Sequence, residues 1–193
     1  ELMEQMRTYV TNLVTGWDVE SVQSIVAETL DEIIDPMVYQ EAVDLIAEHR
    51  AAGHEIVIVS SSGSDMVEPI GARLGVDHTI ATRAAIENGR YTGELEFFAY
   101  GPNKALAIQE LALERGYNLD ECYAYSDSQT DLPMMEIVGF PVAVNPDDEL
   151  REVAIDREWP IMDFEKPVGL RTHTKQIAVT GTSVALGAAA IGV

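Results

Sequence analysis

Two carboxylates four residues apart, Asp127 and Asp131, lie in the run Tyr123-Ala124-Tyr125-Ser126-Asp127-Ser128-Gln129-Thr130-Asp131-Leu132-Pro133. The run begins apolar, as a strand does, and ends in Leu132-Pro133, as a helix start does. In a parallel α/β sheet, the loops past the carboxyl ends of the strands hold the polar groups of a site. A pair of acids there suits a hard divalent cation such as magnesium, which takes oxygen ligands and keeps several waters. Asp127 and Asp131 are therefore the expected metal ligands, and a chain that holds magnesium this way is expected to handle phosphate.

Two more positions fit the same chemistry. Ser60 closes the apolar run Ile56-Val57-Ile58-Val59 and leads into Ser61-Ser62-Gly63. A hydroxyl at a strand end can donate to a phosphoryl oxygen, and the amides that follow favour anions, so Ser60 and Ser61 are the expected phosphate-binding residues. Lys104 follows Gly101-Pro102-Asn103 at a helix start, where a fixed ammonium neutralises phosphoryl charge. Each residue also has an ordinary explanation. Asp131 alone reads as a helix N-cap, Lys104 as a solvent lysine and Ser60 as strand-end punctuation. Their order along one α/β chain is what favours chemistry. Elsewhere the ordinary explanation stands: Asp65 and Glu68 suit the positive end of a helix, and Asp147-Asp148-Glu149 reads as a solvated first turn. His49, His54, His78 and His173 show no ligand spacing, and Arg7 and Met3 read as helix surface.

The elements that must position these groups alternate. Residues 1–34 read as helical, with Val22, Ile25, Val26 and Leu30 at helical spacing. After Asp35-Pro36, a one-sided stripe of Val38, Ala42, Leu45 and Ile46 runs to Gly53. Ile56 to Val59, apolar at every position, predicts a strand buried on both faces. A helix is expected from Asp65 to Leu74 and a hairpin turn at Asn88-Gly89. A helix over Asn103–Arg115, a strand over Cys122–Tyr125, a helix over Leu132–Val138 and a strand over Pro141–Val144 complete a Rossmann-like, doubly wound parallel α/β sheet.

The 193 residues suffice for one core and a small second module, and 47% hydrophobic with 23% charged residues is ordinary for a globular chain. The formal net charge of −21 argues against nucleic acid as a partner. Cys122 is expected to be a buried thiol, and residues 1–10 lack a secretory pattern, so a cytoplasmic protein is expected. Residues 177–193 carry no charge and are rich in Ala, Gly, Val and Thr. As a helix they would span roughly 25 Å, slightly short of a bilayer's hydrocarbon core. With Arg171 and Lys175 ahead of it, this stretch is expected to attach the protein to the inner face of the plasma membrane. A buried terminal helix, or an edge strand with a disordered end, are the alternatives.

The motif order resembles the haloacid dehalogenase superfamily of phosphohydrolases. Its second motif, an apolar strand ending in Ser or Thr, matches Ile56 to Ser60. Its third, a lysine at a helix start, matches Lys104, and its fourth, a strand followed by acids, matches Ser126 to Asp131. Asn88-Gly89-Arg90-Tyr91-Thr92-Gly93-Glu94 looks like the subfamily of phosphoserine phosphatase, in its actinobacterial form. The resemblance, which covers roughly residues 2–170, implies a partial helical cap over 1–35 and an α/β core over 36–170, and residues 171–193 are expected to form a hydrophobic tail. It implies a magnesium-dependent phosphomonoesterase acting through an aspartyl-phosphate. Ser60 would donate to phosphate, Lys104 would screen charge, and Asp131 would position Lys104 or a metal-bound water. The expected substrate is a small phosphorylated metabolite, phosphoserine-like or a lipid head-group phosphate. The family's nucleophile motif, Asp-x-Asp, does not occur in these 193 residues. The nucleophile is therefore expected to lie outside them; the alternative is an inactive, membrane-tethered regulatory domain on the same fold.

Overall fold

The computed structural model describes residues 14–33, 38–165 and 188–192. Arg7, Met3, the Asp35-Pro36 break, and Arg171, His173 and Lys175 of the tail lie outside the described residues. In chain order the elements are α1 (Val19–Ile33), α2 (Gln40–Ala51), β1 (Glu55–Gly63), α3 (Ser64–Leu74), β2 (His78–Glu87) and β3 (Arg90–Phe97). There follow α4 (Pro102–Arg115), β4 (Tyr123–Ser126), the short α5 (Leu132–Met135), β5 (Phe140–Val144), α6 (Asp148–Asp156), β6 (Ile161–Met162) and β7 (Ala188–Gly192). The strands form one sheet in the order β3-β2-β1-β7-β4-β5-β6. All neighbours are parallel except β3, which returns antiparallel along β2. The β2–β3 turn is the expected one, with Asn88 at φ 51° and Gly89 at φ 76°.

Strand β1 shows why the sheet is covered on both faces. Val57 and Val59 join the main core with Ile108 of α4, Ala124 of β4, Met134 and Met135 of α5, Ala143 of β5, and Leu150 and Ala154 of α6. The alternate residues face the other layer, Ile56 against Ile46 of α2 and Ile58 against Val67 of α3. An unbroken apolar run is what such a strand requires. Helix α5 is shorter than the Leu132–Val138 expected. Asp147-Asp148-Glu149 opens α6, in keeping with the expected first turn, whereas the edge strand β6 was not anticipated.

The C-terminal stretch differs from its expectation. Residues 188–192 are neither helix nor edge strand: they form β7 at the centre of the sheet, with Ala188 to Gly192 paired to Glu55 to Val59 and Ala189 to Ile191 paired to Tyr123 to Tyr125. Buried strand backbones need partners on both sides, and β7 supplies the inner partner of both β1 and β4. No helix among the described residues is long and apolar enough to cross a membrane.

Just before α1, the backbone of Gly16 and Trp17 is tied to strand β3 at the outer edge of the sheet. Gly16 N–H donates to the Tyr91 carbonyl (2.8 Å), and Tyr91 N–H donates to that of Trp17 (3.1 Å). The Asp18 carboxylate accepts from the amide and hydroxyl of Ser21, both at 3.0 Å, which starts the helix. Gln23 Nε2 then reaches Asp65 Oδ1 of α3 at 3.0 Å.

Two histidines scattered in the sequence meet in the fold. Helix α2 ends before Gly53 (φ 85°), and the chain turns back so that His54 Nδ1 lies 2.8 Å from His49 Nδ1. That contact holds one hydrogen, so the facing nitrogens cannot both be protonated. His49 Nε2 lies 2.7 Å from the buried Tyr125 hydroxyl, and Tyr123 packs its ring edge-on at 4.8 Å. Burial, with His54 adding, holds His49 below its ordinary value of 6.5. The unfolded chain therefore takes up this proton first, and stability falls as pH drops below about 6.5. Urea unfolding between pH 7.5 and 5.5 is expected to show a smaller loss of stability for His49→Gln than for the parent. Equal losses would refute the assignment.

Candidate active site

Parallel pairing brings the ends of β1, β4 and β5 to one edge of the sheet, and the expected site residues lie there. The turn into α4 is made by Gly101, whose φ of 52° suits glycine, with Pro102 opening the helix. Lys104 N–H donates to the Gly101 carbonyl at 3.1 Å, which closes the first turn of the helix. Its side chain is 5% exposed, and Nζ lies 2.7 Å from Asp131 Oδ1, itself equally buried. The second oxygen, Oδ2, accepts from the Ser126 hydroxyl at 2.8 Å. Asp131 is thus held on both oxygens, and its role is larger than that of a helix cap: its side chain makes no capping bond.

Asp127 is placed differently. It is exposed in the loop after β4, and the partial desolvation there raises its carboxyl above the ordinary carboxylate value. The nearby charges of Asp131 and Asp147 push the same way, while its backbone hydrogen bond and Lys104 oppose. The loop itself is wound tightly. Ser128 N–H donates to Ser126 Oγ (3.2 Å), Thr130 N–H to Ser128 Oγ (3.3 Å), and Asp131 N–H to the Ser128 carbonyl (3.0 Å). A carboxylate among other negative charges is where a cation gains most. Among the described residues, no three His, Cys, Asp or Glu side chains converge into a metal-binding group. The donor set therefore fits a cation that uses one carboxylate and water, as magnesium does, with Asp127 as the available ligand.

Ser60 and Ser61 stand at the same edge, with β7 between their strand and β4. Ser60 is buried, and its Oγ accepts from Ser62 N–H at 3.2 Å. Ser61 is tied through its carbonyl, which accepts from Thr82 Oγ1 at 2.7 Å, and the same Thr82 oxygen accepts from Ala99 N–H at 3.2 Å. Thr82 so joins the end of β1 to the segment that leads to Lys104. Sequence reasoning missed Thr82, Ser126 and Asp147. Ser126 carried a signal, because a small polar residue just before an acid at a strand end invites a hydrogen bond. Thr82, inside a strand, carried none.

The arrangement sets a buried ammonium–carboxylate pair beside a second acid, with the Ser60 strand end at the same end of the sheet. A model of the haloacid dehalogenase-like hydrolases matches residues 2–136. The "Inhibition of morphological differentiation protein" of Streptomyces azureus is 53% identical over 191 residues, which is 98% of this chain and 69% of that protein. A probable phosphatase of Mycobacterium tuberculosis is 50% identical over 191 residues, 98% of this chain and 67% of that one. The crystal structure of a protein of unknown function from Bordetella pertussis Tohama I superposes with a TM-score of 0.77 at 32% identity, covering 83% of this chain and 74% of that one.

The Lys104–Asp131 pair can be tested apart from any activity. Removing one partner of a buried pair leaves an uncompensated charge, at about 3–5 kcal/mol. Lys104→Met should lose that much in urea unfolding. Adding Asp131→Asn, which keeps an acceptor for Ser126, should restore roughly half.

Proposed function

We propose that this chain, which belongs to the haloacid dehalogenase-like hydrolase family, is the phosphate-handling part of a magnesium-dependent phosphomonoesterase. The observation that carries the proposal is the buried ion pair of Lys104 and Asp131 beside the exposed Asp127. A lysine used only for solubility would not be buried against an acid whose other oxygen is also taken.

In this proposal Ser60 donates to one phosphoryl oxygen, with Ser61 beside it. Lys104 meets the charge that develops on the transferring group, and Asp131, fixed by Ser126, aims Lys104. Asp127 would hold the magnesium ion, which supplies charge neutralisation at the phosphoryl oxygens when bound. The attacking carboxylate of the aspartyl-phosphate route is not among these 193 residues and is taken to come from outside them. Catalysis by the residues present is then positioning and electrostatic stabilisation. We infer a small, amino-acid-like phosphomonoester as substrate. The likeness of residues 88–94 to the phosphoserine phosphatase subfamily supports it. A lipid-linked phosphate has less support, because its case rested on a membrane-spanning tail and residues 188–192 are a sheet strand.

Full-length protein with magnesium is expected to release inorganic phosphate from an aryl phosphate, and chelation should stop it. Asp127→Ala should lower kcat/KM by about 100-fold or more, the scale for losing a principal electrostatic contact. Robust turnover by that variant would overturn the metal assignment.

A further inference from the structure

The acid at the start of α6 reads in sequence as a solvated first turn, but the structure gives it more to do. Asp147 Oδ1 accepts from Leu150 N–H at 2.7 Å, an ordinary N-cap. Its other oxygen, Oδ2, accepts from the backbone N–H of Gln129 at 2.9 Å, 18 residues back in the chain. Its own N–H donates to the Asp127 carbonyl at 2.7 Å. One residue thus grips the loop on both sides of Ser128, at the carbonyl of Asp127 and at the amide two residues on.

The grip is itself anchored. Asn145, at φ 43°, accepts from Phe164 N–H at 2.9 Å and donates to the Phe164 carbonyl at 3.1 Å, and its N–H donates to the Met162 carbonyl at 2.9 Å. The segment between β5 and α6 is therefore fastened to the β6 edge on one side and to the Asp127 loop on the other. Leu150, fully buried in the main core, fixes the helix that Asp147 caps. Gripped in this way, the loop cannot shift Asp127 without breaking bonds to an element rooted in the core.

We propose that Asp147 is a positioning residue for the phosphoryl-transfer site: it holds the Asp127–Asp131 loop in register against α6, so that Asp127 and Asp131 are set before substrate arrives. This rests on the proposed function for its kinetic consequence, though not for its structural one. A capping acid alone would need only the Leu150 bond; the Gln129 bond and the Asp127 carbonyl contact serve the loop.

Two substitutions in the full-length protein separate capping from loop holding. Asp147→Ser keeps a capping oxygen for α6 but has no second acceptor for Gln129. Ile155→Gly, at an exposed position near the end of α6, weakens the helix without touching the loop. In Asp147→Ser the Gln129 amide is expected to exchange with solvent about tenfold faster or more by NMR, the scale of one hydrogen bond to a charged acceptor. The kcat for an aryl phosphate should fall about tenfold or more, with KM changed much less, because misplacement acts mainly on the transition state. Ile155→Gly should lower the unfolding midpoint while leaving kcat and Gln129 exchange near parental values.

Unchanged Gln129 exchange in Asp147→Ser would overturn the proposal. So would a kcat loss in Ile155→Gly equal to that in Asp147→Ser, which would reduce Asp147 to a helix cap. If the parent protein shows no phosphatase turnover, the proposed function fails. The exchange measurement would still decide whether Asp147 holds the loop.

Discussion

The contact between Lys104 Nζ and Asp131 Oδ1 imposes a demand that the surrounding structure must meet. Two charges taken out of water cost several kcal/mol each unless their geometry is good and their remaining polar atoms are satisfied. Asp131 therefore needs Ser126, and Ser126 must stand at the end of a strand whose backbone is fixed. Lys104 needs a helix that starts at one place, which Gly101 and Pro102 specify. The pair thus ties the start of α4 to the loop that follows β4. Neither charge could be buried if the other were a residue out of register.

The sheet supplies that register. Its interior strands β1 and β4 carry the Ser60 and Asp127 ends, and both lie against β7. Backbone pairing on both sides sets β1 and β4 at a fixed separation, and the main core fixes them from one face through Val57, Val59 and Ala124. On the opposite face Tyr125 is held by His49. Side chains alternate along β4, so the strand that presents Ser126 to Asp131 also sends Tyr125 the other way, into a polar contact of its own. The site is therefore clamped by its strand from two directions.

Much of this was legible in the sequence. The unbroken Ile56-Val57-Ile58-Val59 run identified a two-faced strand, Asn88-Gly89 its hairpin, and Gly101-Pro102 a helix start, because each is a local choice with a local physical reason. Ser60, Lys104, Asp127 and Asp131 stood out as candidates for the same reason: strand ends and helix starts are where such groups gather. What escaped was long-range. The Gln129 bond to Asp147 spans 18 residues, and Thr82 joins two segments through one oxygen. The His49–His54 pair depends on how α2 ends. The tail was misread because Ala-Ala-Ala-Ile-Gly has no strong preference of its own. An uncharged run of small residues suits a helix as well as a central strand, and the choice falls to the backbone groups of β1 and β4 that need partners.

The two acids of one loop illustrate how position divides roles between identical side chains. Asp131 has an ammonium on one oxygen and a hydroxyl on the other, so its negative charge is already compensated. Asp127 is exposed, and besides partial desolvation its neighbours Asp131 and Asp147 add negative charge that Lys104 only partly offsets. Binding a cation at Asp131 would compete with Lys104, whereas binding one at Asp127 would relieve a strain the fold has left in place. The same comparison explains why a third acid is tolerable beside the site. Asp147 spends both oxygens on backbone amides, so its charge is partly met by hydrogen bonds while it keeps the loop in place. Of the three acids, Asp127 is the one whose negative charge its neighbours leave least compensated, so a cation would gain more there than at Asp131 or Asp147.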